Sequence, residues 1–230
     1  MEIHITEQPA KALGEKITRL INAHQGDLLC FLSGGSALDV VEYIQPIYKN
    51  ECRTIFMMGD ERVSGEATIN NYLQLVHRYQ GFRILEHTLN TTVLERERPI
   101  QFSMRLEKEI KKIISEAKNL KIISLLGIGA DGHTAGIFPM ERAAFFETYD
   151  HDQIYLPVRL EALELNFRAS LSPQWILSNV SELFIYAAGE EKLDILYMLT
   201  SDDKSLHERP AELIKQHANA HIYTDQKVQL

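Results

Sequence analysis

The stretch Lys121-Ile122-Ile123-Ser124-Leu125-Leu126-Gly127-Ile128-Gly129-Ala130-Asp131-Gly132-His133-Thr134 decides the fold. Its first half, Lys121 to Leu126, is a nearly continuous apolar run with no polar alternation. That is the pattern of a parallel strand covered on both faces. Its second half is a glycine-rich turn carrying an acid and a histidine. Working outward, the same grammar recurs at Leu28 to Leu32, Thr54 to Met58 and Glu182 to Ala188. Each run is followed by chemistry: Ser33-Gly34-Gly35-Ser36, then Gly59-Asp60-Glu61-Arg62, then Gly189-Glu190-Glu191-Lys192. Helical patterns lie between, one from Pro9 through Leu13, Ile17 and Ile21, one through Phe102, Leu106, Ile110 and Ile113, and one from about Glu190 to Leu199. Strands alternating with helices predict an α/β fold with a mostly parallel sheet. Gln153 to Val158 reads as a strand that Pro157 confines to an edge or an end. In an open parallel sheet, ligands bind outside the carboxyl ends of the strands, so these four turns together predict the active site.

The chain has 230 residues, 45% hydrophobic and 24% charged. This is globular composition, with no linker-like tract, and one domain is expected over residues 1–230. The net charge of −8 argues against nucleic-acid and anionic-membrane partners. No apolar run reaches the roughly 18 residues of a membrane span, and the start of the chain does not read as a signal peptide. The two cysteines, Cys30 and Cys52, read as reduced thiols of a cytoplasmic protein.

Each motif has a bland and a chemical reading. Ser33 to Ser36 is either a strand-to-helix turn or a backbone cradle for an anion at a helix start. It is neither a Walker A loop nor a nucleophile elbow, since Leu38 stands where the last glycine of the elbow belongs. Asp60-Glu61-Arg62 is either a solvated charged turn or a carboxylate beside an anion-binding arginine. Gly127 to Gly132 has the dinucleotide spacing, but it lies past the middle of the chain, Pro139 interrupts any following helix, and the later acids Asp150 and Asp152 precede the next apolar run. His133, with Asp131 two residues before it, suits a general base with an orienting carboxylate. His217 and His221 are four apart but show no acidic third ligand, so no metal is expected there. Lys192 and Arg168, the latter in a short alternating segment, are candidate phosphate ligands.

Taken together these residues resemble the 6-phosphogluconolactonases, in the superfamily they share with glucosamine-6-phosphate deaminase/isomerases. The block Leu125 to Pro139 carries the resemblance, supported in order by Ser33 to Ser36, Asp60 to Val63 with Asn70-Asn71-Tyr72, Arg168 to Ser172, Gly189 to Lys192 and Arg209-Pro210-Ala211. The resemblance implies a modified Rossmann-like α/β/α domain that hydrolyses 6-phosphoglucono-1,5-lactone in the oxidative pentose phosphate pathway. It implies His133 as base and Asp131 as its orienter. It places Ser33, Gly34, Gly35, Ser36, Asp60, Arg62, Asn71, Gly129, Arg168 and Lys192 around the substrate. It implies no metal or cofactor, a small sugar-phosphate as the only partner, and a monomer or weak homo-oligomer. Arg62, Arg168 and Lys192 are expected to converge beside the helix after Ser36, within about 6–9 Å of His133. The deaminase relatives carry a glutamate five residues after the histidine, where Phe138 stands here. A non-catalytic sugar-phosphate module is the remaining alternative. The first glycine turn reads Ser36-Ala37-Leu38 where the family usually has Ser-Thr-Pro, and Ser64 to Ile69 replaces a loop that often holds proline.

Overall fold

The computed structural model describes residues 1–49, 51–160 and 167–228. In chain order these form β1 (Glu2–Ile5), α1 (Pro9–Ala23), β2 (Leu28–Leu32), β3 (Thr54–Met58), β4 (Asp60–Arg62), α2 (Asn71–Arg78), α3 (Pro99–Glu116), β5 (Lys121–Gly127), α4 (Arg142–Tyr149), β6 (Tyr155–Arg159), β7 (Phe167–Leu171), α5 (Pro173–Asn179), β8 (Glu182–Tyr186), α6 (Leu193–Ser201), α7 (Glu212–Gln216) and β9 (Ala220–Thr224). Short 3-10 helices occupy Gly35–Tyr43, Arg83–His87 and Glu190–Lys192.

Six strands make one sheet in the order β1-β9-β8-β5-β2-β3. Every pairing in it is parallel. All five residues of β2 are buried, as two-sided cover requires. Alternate residues feed two cores. Leu28, Cys30, Leu32, Phe56, Met58, Ile123, Leu125 and Phe184 meet Leu13, Ile17 and Ile21 of α1 and Val40 and Val41 on one face. Leu29, Phe31, Met57, Leu126, Leu183 and Ile185 meet Phe102, Leu106, Ile110 and Ile113 of α3 on the other, together with Trp175 and Ile176 of α5. The result is the α/β/α layering expected from the apolar runs. β8 stops at Tyr186, two residues short of the expected Ala188.

Two features differ from the sequence reading, and the edge position of Pro157 agrees with it. The segment after Ser36 is a nine-residue 3-10 helix. Its buried residues recur at spacing three, Ala37 with Val40 and Leu38 with Val41, and a three-residue turn stacks such positions on one side. Asp60-Glu61-Arg62 is a strand rather than a solvated turn, because β4 joins β7 and β6 in a separate antiparallel sheet ordered β4-β7-β6. Pro157 sits mid-strand in β6, at the edge of that sheet, where its missing N–H disrupts no ladder. Among the described residues no helix is long and apolar enough to cross a membrane.

Phe31 is fully buried on the interior strand β2 and meets Trp175 edge to face at 5.5 Å between ring centroids. Phe31→Ala should lower unfolding free energy by about 3–5 kcal/mol, the usual range for such a cavity. Urea denaturation reads this directly, and a loss under about 1 kcal/mol would mean that the two faces do not share the load at β2.

Candidate active site

The turn after β5 is held by its own backbone. Gly129 N–H donates to the His133 carbonyl at 2.8 Å and Gly132 N–H to the Gly129 carbonyl at 2.9 Å. The Thr134 hydroxyl donates to the Gly127 carbonyl at 2.8 Å. Gly132 has φ +83°, a conformation that favours glycine. The fold thereby turns the His133 ring back over the loop. Its Nδ1 lies 2.5 Å from Asp131 Oδ1, which also accepts the His133 backbone N–H at 3.1 Å. The other side of the ring stacks on Phe138, with centroids 4.7 Å apart and 23° between planes. Gly129 closes the cage: a Cβ there would sit 2.0 Å from His133 Nδ1. Partial burial raises the Asp131 pKa, but the bonds and charge of His133 outweigh it and leave the carboxyl below its ordinary value.

A second framework fixes the opposite wall. Glu61 has no exposed surface. Its Oε1 accepts the N–H groups of Asn71 at 2.5 Å and Arg62 at 2.9 Å. Its Oε2 accepts Tyr72 N–H at 3.0 Å and the Thr91 hydroxyl at 2.9 Å. Burial pushes the Glu61 pKa up to about 8 against the lowering effect of these donors. Two of the donors are the first N–H groups of α2, so the carboxylate anchors the start of that helix. Asn71 then reaches back. Its Nδ2 donates to the Asp60 carbonyl at 3.0 Å and to Asp60 Oδ2 at 3.1 Å. Ser33 Oγ–H donates to Asp60 Oδ1 at 2.9 Å. Burial raises the Asp60 pKa, while Ser33 and the charges of Arg62 and His133 oppose that rise. The Asn71 amide lies so close to Gly34 that a Cβ on Gly34 would meet Asn71 Oδ1 at 2.2 Å.

Between these walls lies a cleft of about 180 Å³ lined by Ser33, Gly34, Gly35, Ser36, Asp60, Arg62, Asn71, Gly129, His133 and Lys192, with Gly127, Ile128 and Ala135. Two expected site residues are not on its wall. Asp131 stands behind His133 and faces a separate groove shared with Phe138. Arg168 lies across the β4–β7 ladder from Arg62, with its Nη1 on the Phe167 carbonyl at 3.1 Å. Of the three cations expected to converge, Arg62 and Lys192 line the cleft, and strand pairing sets Arg168 beside Arg62. Burial and the Arg62 charge hold the Arg168 pKa below its ordinary value.

A sequence profile of the family described as glucosamine-6-phosphate isomerases/6-phosphogluconolactonase matches residues 3–223. The chain belongs to this family. A 6-phosphogluconolactonase of Treponema pallidum is 38% identical over 80 residues, 35% of this chain and 31% of that protein. One from Helicobacter pylori is 22% identical over 204 residues, 85% of this chain and 83% of that one. The aligned stretch thus spans less than a third of the Treponema relative. The solved 6-phosphogluconolactonase of Trypanosoma brucei shares the fold with a TM-score of 0.72 at 24% identity, over 97% of this chain and 95% of that one.

Within the family framework, the Arg209-Pro210-Ala211 block acts as a buttress. Ala211 N–H donates to the Gly132 carbonyl at 2.9 Å, and Arg209 Cγ lies where a Gly132 Cβ would be 2.9 Å away. Arg209 is itself tied to Asp202 and Glu212. Sequence reasoning missed two supports. Glu61 looked like one member of a charged turn, and only the pairing of β4 with β7 shows that it points inward. Phe138 was read for what it replaces, and its stacking on His133 depends on the turn geometry. Gly129→Ala should abolish most of the activity of this family member while leaving far-UV circular dichroism intact, since the added methyl takes the place of the ring. An active Gly129→Ala enzyme would show that the His133 orientation is not required.

Proposed function

We propose that this chain, acting as a single domain in the cytoplasm, hydrolyses 6-phospho-D-glucono-1,5-lactone to 6-phospho-D-gluconate. The observation that carries this reading is the caged His133 ring on a cleft whose other wall presents Arg62, Lys192 and the Ser33–Ser36 turn. With Nδ1 turned to Asp131, that nitrogen carries the proton and Nε2 holds the lone pair. Nε2 takes a proton from water as its oxygen bonds to the lactone carbonyl carbon. The C–O ring bond of the tetrahedral intermediate then breaks, and the imidazolium returns the proton to the leaving ring oxygen. Backbone N–H groups of the glycine turns are suited to the developing oxyanion. Asp131 positions the ring. Arg62 and Lys192 attract the phosphate dianion, and Arg168 adds a second guanidinium beside Arg62. Asp60, held by Ser33 and Asn71, offers a fixed acceptor for sugar hydroxyls. An isomerase or deaminase reading fares worse, because the position that resemblance assigns to a glutamate holds Phe138, which transfers no proton. Both cysteines are free thiols, in keeping with a reducing compartment.

The deciding experiment forms the lactone in situ from glucose 6-phosphate with its dehydrogenase and measures 6-phosphogluconate above the spontaneous rate. No acceleration would sink the lactonase reading. His133→Ala should cut kcat by about 10²–10⁴-fold, the usual worth of a general base, with 6-phosphogluconate affinity little changed. Near-normal turnover in that variant would remove the base assignment. Lys192→Ala should instead weaken 6-phosphogluconate binding by about 1.5–3 kcal/mol, the range for a charged hydrogen bond. Calorimetric titration reads this, and unchanged affinity would take Lys192 out of the phosphate site.

A further inference from the structure

At the far edge of the main sheet, the pairing of β1 with β9 brings together two histidines and a glutamate from opposite ends of the chain. Glu2 is the register partner of His221, and His4 lies two residues on, on the same face of β1. His4 Nε2 and His221 Nδ1 are 3.2 Å apart. Glu2 Oε2 lies 3.2 Å from His221 Nδ1 and 3.7 Å from His4 Nε2. Three ligands around zinc at about 2.0–2.1 Å form a tetrahedral face with edges of about 3.3–3.4 Å, and the observed triangle has nearly that size.

Hydrogen bonding sharpens the point. Asn219 Nδ2 donates to the Ser181 carbonyl at 3.2 Å, which turns its Oδ1 toward His221 Nε2 at 2.9 Å. The His221 Nε2 therefore carries the hydrogen, and in the neutral ring Nδ1 presents a lone pair. That lone pair faces the Glu2 carboxylate oxygen, another electron pair, and either a proton or a metal cation between them relieves the contact. An imidazole whose second nitrogen donates to an amide oxygen also has the usual outer-shell support of a metal ligand. Both rings are held in place: His4 stacks on Tyr223 at 4.4 Å and His221 on Phe184 at 5.7 Å. Among the charges around His221, Glu2 and Glu182 act with one sign and His4 and Lys16 with the other. His217, the partner that sequence spacing suggested, is taken up elsewhere, on the Val180 carbonyl and the Asn219 N–H.

We infer that Glu2, His4 and His221 form a binding site for a divalent transition ion of the zinc type, with water completing the tetrahedron. The ion would clip the edge strand β1 to β9, away from the cleft at the carboxyl ends of β2, β5 and β8. Imidazole with carboxylate suits zinc better than calcium or magnesium, which favour all-oxygen shells.

The test titrates chelator-treated, buffer-exchanged protein with Zn²⁺ by calorimetry, and with Co²⁺ by visible absorption to report tetrahedral geometry. One ion per chain is expected. Glu2→Gln, His4→Ala and His221→Ala should each weaken binding at least about tenfold, in line with the sensitivity of metal sites to their shells. His133→Ala should leave it unchanged. At a hundredfold excess over Kd, Zn²⁺ should raise Tm by about 5 °C by mass action. Should His221→Ala fail to fold, Glu2→Gln decides, because that side chain is 65% exposed. Absence of 1:1 binding overturns the site, as does binding that survives in Glu2→Gln and His4→Ala or is lost in His133→Ala.

Discussion

The carboxylate of Glu61 is the interaction on which the cleft depends. It has no exposed surface, and four protein donors converge on it. A buried acid in such a place is tolerable only because its oxygens are met by donors. The consequence is mechanical. Fixing the first N–H groups of α2 fixes Asn71, Asn71 fixes Asp60, and Asp60 fixes Ser33 at the mouth of the first glycine turn. A short charged strand, a helix start and a strand-to-helix turn are thus locked by one buried acid that never touches substrate.

The proposed function asks an acidic chain to take an anionic ligand. A net charge of −8 would repel a phosphate at long range, but screening shortens that field to about 8–10 Å in physiological salt. Inside this distance the cleft presents Arg62 and Lys192, with Arg168 beside Arg62. Two guanidiniums across one antiparallel ladder oppose each other, an opposition that the proposed phosphate would relieve.

Much of this was legible in the sequence, for definite reasons. The apolar runs at β2, β3 and β5 are largely buried, so hydropathy marks β2 and β3 to the residue and β5 to within one, at Gly127. The glycine turns announce the cleft because nothing else tolerates such backbone approach at Gly34 and Gly129. What escaped was information held by pairing. β4 has only three residues, all charged, and reads as a strand only once β7 lies beside it. The placement of Arg168 next to Arg62, and of Asp131 behind the ring rather than in the cleft, follows from ladder register and turn geometry. Spacing within one segment also says nothing of what surrounds His221, whose neighbours come from β1.

That same edge pairing has a consequence for how the molecule is made. Among the described residues, β1 has β9 as its one neighbour in the sheet. A strand made early therefore waits for one made much later before it can join a ladder, with loop closure across more than two hundred residues. Until then its amide groups stay open to solvent, and the sheet can assemble only from β2, β3, β5 and β8 outward. Synthesis order and assembly order run against each other at this edge, so the sheet is sealed by β1 meeting β9.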